Sequence, residues 1–162
     1  MTETPAPVLD DKAWRLLMAL QRDARSPLKA LAEAAGLSIP ATAERIRRLQ
    51  DAGVVGGFGA EVDPQRVGYG VRACVGITVP QPHKRRFIDK LRGTAEVLEC
   101  HHVTGDDSFL LSVVARDLQD LERFLAEING YGETRTSIVF STPIPRRGLV
   151  PPGAGRSKGA AA

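Results

Sequence analysis

The stretch LKALAEAAGLSIPATAERIRRLQDAGV, residues 28–54, decides how the first third of the chain folds. Leu28, Leu31, Ala32 and Ala35 share one face of a short helix, Leu28–Ala35. Gly36 follows, and a glycine just past a helix end takes positive φ without steric cost. Leu37 re-enters a core, and Ser38 is a favoured N-cap. Pro40 falls in the next helix's first turn, where no N–H is missed. That helix runs to about Ala52 and stops at Gly53, with Thr42, Ile46 and Leu49 inward. Its other face carries Ala41, Glu44, Arg45, Arg47 and Arg48. A short helix, a small residue at the crossing (Ala32), a glycine turn and a small-and-basic outer face form a helix-turn-helix pattern. Small residues near the second helix's start allow close approach to base edges, and arginines farther along suit phosphate or guanine. The competing reading is an αα-hairpin whose basic face is simply solvated.

Upstream, Leu9, Ala13, Leu16, Leu17 and Leu20 recur at helical spacing, so Leu9–Asp23 reads as a helix capped by Asp10 or Asp11. Trp14 lies beside that stripe as a core or rim aromatic, and Arg25-Ser26-Pro27 breaks the helix. Downstream, Val54–Val62 is β-branched and Gly-rich and reads as a short strand or small wing. Asp63-Pro64 is a turn signal and marks a domain boundary.

Beyond it the period changes to two. Val71, Ala73, Val75, Ile77 and Val79 share one face of a strand; Arg72, Cys74, Gly76 and Thr78 share the other. His83–Arg92 is a basic amphipathic helix with Phe87, Ile88 and Leu91 inward. Its Lys84-Arg85-Arg86 run is either a second nucleic-acid patch or a solvated face, and the acids nearby favour the solvated reading. Strands over Glu96–Val103 and Ser108–Ala115 flank a Thr104–Asp107 turn, a helix over Asp117–Ile128 ends at Asn129-Gly130, and Thr134–Thr142 is a last strand. The order β-α-β-β-α-β is ferredoxin-like, with both helices on one face of an antiparallel sheet. The other face is expected to be apolar, from Leu110, Val114, Leu98 and Cys100, and so to be buried against a second copy. The fold class is therefore α+β: residues 1–8 disordered, a winged-type helix-turn-helix domain over 9–56, a linker over 57–68, a ferredoxin-like sensing and dimerisation domain over 69–143, and a basic disordered tail over 144–162.

Composition narrows the function classes. The 162 residues hold 22 Lys+Arg and 19 Asp+Glu, a net charge of +3. By segment the net is +1 over 1–56, −2 over 57–143 and +4 over 144–162, so a nucleic-acid partner must be argued from local pattern. No stretch approaches ~18 apolar residues, which argues against a membrane span. Met1–Pro7 lacks a basic and an apolar signal region, so a cytoplasmic, nucleoid-associated protein is expected. Cys74 and Cys100 form no CxxC and are read as small buried residues. Catalysis would have to use Cys100, His101, His102, Asp106 and Asp107, but on a strand His101 points away from Cys100 and His102. No third metal ligand stands at recognisable spacing, and no RNA-recognition aromatics occur in SFLLSVVA. Neither an enzyme, a metal site nor a cofactor is expected.

Both halves resemble the Lrp/AsnC (leucine-responsive, feast/famine) regulators. Leu9-Asp10, Gly36-Leu37-Ser38, Arg45, Arg48-Leu49, Gly53-Val54-Val55 and Asp63-Pro64 with Gly68 fit the family's N-terminal pattern, and VLECHHVTGDDSFLLSVVARD fits its regulatory domain. The resemblance implies sequence-specific binding of double-stranded DNA by a helix from Ser38 to about Gln50. Ser38 would cap it and meet a phosphate. Ile39, Ala41 and Ala43 would face bases, with Pro40 and Glu44 in the same set. Arg45, Arg47 and Arg48 would contact guanine or phosphate. It also implies a homodimer, tetramer and octamer remaining open, and a small-molecule effector, an amino acid or related metabolite, at Thr104, Gly105, Asp106, Asp107 and Ser108. Ser108 stands where relatives commonly carry a second carboxylate, for which Asp106 or Asp107 would substitute. The alternative is a small-molecule-sensing oligomeric subunit without specific DNA binding.

Overall fold

Asp10 settles the start of the first helix. In the computed structural model, which describes residues 8–154, its carboxylate accepts the Ala13 N–H at 2.8 Å and caps α1, Asp11–Arg22. The expectations for residues 1–7 and 155–162 lie outside the described residues. Helix α2, Leu28–Ala35, ends at Gly36 with φ 65°, the left-handed conformation its sequence anticipates. Helix α3, Ile39–Asp51, starts at Ser38, whose hydroxyl accepts the Ala41 N–H at 3.4 Å. Leu16, Leu17, Leu20, Leu31, Ala35 and Leu49 form the shared core, with Trp14, Ile46, Val54 and Val55 packed on it. Thr42 is fully buried, yet its hydroxyl donates to the Ser38 carbonyl at 2.9 Å. That bond avoids the roughly 1–3 kcal/mol that a buried unpaired hydroxyl costs.

The chain forms two compact units. One comprises the residues through Ala60 together with the segment from Ile144; the other is Glu61–Pro143. In the first, the expected wing over Val54–Val62 is absent: these residues form no strand. Val54 and Val55 instead direct their N–H groups at the Leu49 carbonyl, 2.9 and 3.1 Å away, and wrap the helical core. No strand among the described residues of the unit offers them a ladder, so β propensity has nothing to act on. Residues 144–154 form neither helix nor strand, but Leu149 is held. The Gln21 side-chain amide donates to its carbonyl at 2.9 Å and accepts its N–H at 2.6 Å.

The second unit has the expected β-α-β-β-α-β order: β1 Val71–Thr78, α4 Lys84–Arg92, β2 Val97–His102, β3 Phe109–Ala115, α5 Leu118–Asn129 and β4 Glu133–Ile138. All pairings are antiparallel and the strand order is β2-β3-β1-β4. Ala73, Val75 and Ile77 of β1 meet Val113, Leu111 and Phe109 of β3 and bury against α4 and α5. Phe87 centres this core, its ring 5.5 Å from those of Phe109 and Tyr131.

Two expectations about the opposite face change. A bulge between Val97 and Glu99 resets the phase of β2, so Cys100 opposes Leu111 and packs on the helix side. Cys74, read as buried, is exposed beside Arg72 and Thr78. The open face keeps Leu110, 43% exposed, beside Arg72, Cys74, Thr78, Ser112 and Arg135; of the other expected apolar residues Leu98 is exposed, Val114, opposite Arg72, is buried, and Cys100 is turned to the core.

Gly132 joins α5 to β4 so closely to β1 that an added Cβ would strike the Thr78 carbonyl, which is backbone and cannot yield. Gly132→Ala is expected to destabilise the fold by about 1–3 kcal/mol in urea unfolding followed by circular dichroism. Gly130→Ala, with open space around it and φ −67°, is the neutral comparison.

Candidate functional site

Helix α3 exposes Ile39, Pro40, Ala41 and Ala43 in its first two turns, while Thr42 and Leu49 face the core and Ile46 is half-buried. The small side chains at 41 and 43 leave the helix start open to close approach. Ser38 is committed to the cap through its hydroxyl.

The arginines behave differently from one another. Glu44 accepts from Arg47 Nε at 3.1 Å and Nη2 at 2.9 Å, and from Arg48 Nε at 2.9 Å. Arg47 also donates to Asp51 at 3.1 Å. The hydrogen bond from Arg47, then that from Arg48, holds the Glu44 carboxyl below the usual carboxylate range. Arg45 leaves this group and pairs with Asp10, the α1 cap. That bond, followed by the one from the Ala13 N–H, holds the Asp10 carboxyl low as well. All three arginines named from the sequence are thus compensated. Among the described residues, Arg25 and Lys29, either side of the α2 start, have no carboxylate within reach. In helix-turn-helix docking the first helix crosses the phosphate backbone, where such cations are useful. The sequence reading passed over them because they lie outside α3.

The second site lies at the β2–β3 hairpin. Gly105 takes φ 114° at the turn. The hairpin is tied to the end of β1: Thr78 Oγ1 donates to the Asp106 carbonyl at 2.8 Å, and the Ser108 hydroxyl accepts the Val79 N–H at 3.2 Å. Asp107 folds back over Gly76, where an added Cβ would come within 2.5 Å of Oδ2. Arg135, opposite Gly76 in the β1–β4 register, donates to Asp107 Oδ1 at 2.8 Å. A cavity of about 620 Å³ opens here, lined by His102, Val103, Thr104, Asp106, Asp107, Leu110 and Arg135. Its carboxylates suit an ammonium group, its guanidinium a carboxylate and Leu110 an apolar side chain.

Of the five expected effector residues, Thr104, Asp106 and Asp107 line the cavity; Gly105 shapes the turn and Ser108 is spent on the Val79 backbone. His102, Val103, Leu110 and Arg135 were missed. Arg135 lies 28 residues from Asp107, and only the strand register brings them together.

No group of three or more His, Cys, Asp or Glu side chains among the described residues is arranged to hold a metal ion. Cys100 and His102 face the helix layer, and burial pushes the Cys100 thiol up. His101 lies on the other face, 3.5 Å from Glu99. No helix among these residues is long and apolar enough to cross a membrane.

Comparison with known proteins identifies both domains. Residues 9–50 match the AsnC-type helix-turn-helix domain and residues 72–149 the Lrp/AsnC ligand binding domain. The chain is 38% identical over 139 residues to the HTH-type transcriptional regulator AldR of Mycolicibacterium smegmatis, covering 82% of this chain and 81% of that one. A feast or famine regulatory protein of Mycobacterium tuberculosis, solved with L-methionine, superimposes with a TM-score of 0.83 at 35% identity, over 89% of this chain and 100% of that one. A transcriptional regulator of Neisseria meningitidis in complex with L-methionine gives 0.81 at 25%, over 88% and 96%. With a relative this similar along most of both chains and both family domains in order, the protein belongs to the Lrp/AsnC family of transcriptional regulators.

Proposed function

We propose that the protein is a sequence-specific regulator that places α3 in the major groove and answers to an α-amino acid held at the β2–β3 hairpin. The observation that carries the first part is the α3 start, where Ile39, Ala41 and Ala43 stand exposed beside the Glu44-bridged Arg47 and Arg48. Ile39, Ala41 and Ala43 meet base edges and thymine methyls. Arg47 and Arg48 reach phosphate or guanine when Glu44 releases them, and Arg25 and Lys29 hold the backbone. Arg45 is a positioning residue that ties α3 to the cap of α1. A homodimer through the open sheet face presents two α3 helices to a pseudo-palindromic site. Its half-sites lie about 34 Å, or a multiple of that, apart.

Support for the amino acid comes from the cavity's mixed lining of carboxylates, guanidinium and Leu110, and from the L-methionine held by two solved relatives. Sequencing of genomic fragments pulled down by the purified protein tests the DNA reading; recovery of no common site would sink it. Sedimentation should give a dimer or larger at micromolar concentration, and a monomer would remove the two-helix docking.

Glu44→Gln is expected to free Arg47 and Arg48, tighten binding to random duplex DNA and steepen its salt dependence by about 1–2 in log K against log salt. An unchanged slope would mean that the arginines do not reach phosphate.

Arg45→Ala is expected to lower the thermal midpoint at pH 7 without altering sequence preference. The Asp10 carboxyl is depressed in the fold, so the pair stabilises above the ordinary carboxylate pKa. That contribution fades as pH falls through the lowered value, and the variant's deficit should shrink there. A deficit independent of pH would detach the effect from Asp10.

Calorimetric titration with the twenty amino acids should find at least one ligand, lost in Arg135→Ala. The corresponding amines and carboxylic acids, each carrying half of the zwitterion, should bind far more weakly. No heat from any amino acid would refute the class.

A further inference from the structure

Helix α4 opens with cations where a helix ordinarily takes acids. Lys84, Arg85 and Arg86 fill its first turn after His83, and no acidic residue stands there. The N-terminal end of a helix carries partial positive charge, so this placement works against local stability. Nor is it a side effect of a basic domain, since Glu61–Pro143 holds ten basic and twelve acidic residues.

The other helical cations nearby are compensated. Lys90 meets Glu127 at 2.6 Å, Arg92 meets Asp89 at 2.9 Å, and Arg123 pairs with Asp120, which also takes Arg116 from the turn before α5. Among the described residues, no carboxylate lies within 4.0 Å of Lys84, Arg85 or Arg86. Asp89 has the spacing to pair with Arg85 or Arg86, yet it pairs with Arg92. Lys84 reaches only the His102 ring at 3.3 Å and the Phe109 face at 5.7 Å. Arg85 and Arg86 are exposed, whereas the apolar neighbours Phe87 and Ile88 are buried and half-buried. A protein partner would look for an apolar or aromatic centre, which this patch lacks. Uncompensated cations on a polar surface fit a phosphate backbone.

We infer that the start of α4 is a second DNA-contact surface, taking phosphates of a duplex outside the segment gripped by α3. The inference rests on the DNA-binding reading above, and the experiment separates the two. The full chain is titrated with a duplex of about 25 base pairs carrying the recovered site, and with one of about 80 carrying the same site and random flanks. Wild-type protein should bind both, with a steeper salt dependence on the long duplex. Arg85→Gln with Arg86→Gln should leave the short duplex unchanged within twofold. On the long duplex it should weaken binding several-fold and lower the slope by about 2 for each protomer in contact, close to 0.9 per lost phosphate contact. Arg85→Lys with Arg86→Lys should restore the slope, and unchanged circular dichroism secures the fold of each variant. Equal slopes for wild type and the glutamine variant on the long duplex would overturn the inference, as would equal losses on both duplexes. Failure of wild type to bind the short duplex would instead overturn the reading on which it rests.

Discussion

The regulatory unit depends on the register of β1. Like β3, this strand is paired along both edges, with β3 on one side and β4 on the other. Its alternation sends Ala73, Val75, Ile77 and Val79 into the core and leaves Cys74, Gly76 and Thr78 on the far side. A slip of one residue would exchange the two faces, so burial of the first set enforces the position of the second. Gly76 is thereby set opposite Leu110 and Arg135, and Thr78 is set where its hydroxyl can take the Asp106 carbonyl. The cavity is a consequence of core packing on the other side of the strand.

Charge tells a different story from composition. In the helical unit, basic residues looked like the carriers of DNA recognition, but Glu44, Asp51 and Asp10 neutralise the three arginines of α3. The pairs of Arg47 and Arg48 are exposed and worth little, so they open readily when a phosphate offers more, whereas Arg45 is only 33% exposed. A partner lacking that charge leaves them closed. On the proposed reading of α3 as the recognition helix, its acids act on selectivity: they lower the attraction for any polyanion and leave the exposed side chains of Ile39, Ala41 and Ala43 a larger share in the choice of site.

Local features were legible in the sequence. Gly36 at positive φ, the Ser38 and Asp117 caps and the period-two pattern of β1 each depend on residues within a few positions. The β-α-β-β-α-β order followed from them. What escaped needed distant residues. A strand exists only where another pairs with it, and Val54–Val62 has none. The bulge at Leu98 is invisible to alternation counting, yet it decides that Cys100 turns inward. The partner of Arg45 lies 35 residues away, and Arg135 went unread because 28 residues separate it from Asp107. At Ser108, too, only the fold reveals that the hydroxyl meets the Val79 backbone.

The Asp107–Arg135 pair also bears on which ligand the proposed effector cavity accepts. Arg135 is 59% exposed and Asp107 only 18%, so the pair is cheap to open from the arginine side and costly to leave open on the aspartate side. A ligand offering a carboxylate alone would take Arg135 and strand the half-buried Asp107 without its cation. One offering an ammonium alone would compete for Asp107 and return Arg135 to solvent. A zwitterion replaces both partners at once, leaving neither group unpaired. With Gly76 leaving room for the Asp107 carboxylate and Leu110 an apolar wall, discrimination falls on the amino-acid backbone first and on the size of the side chain second.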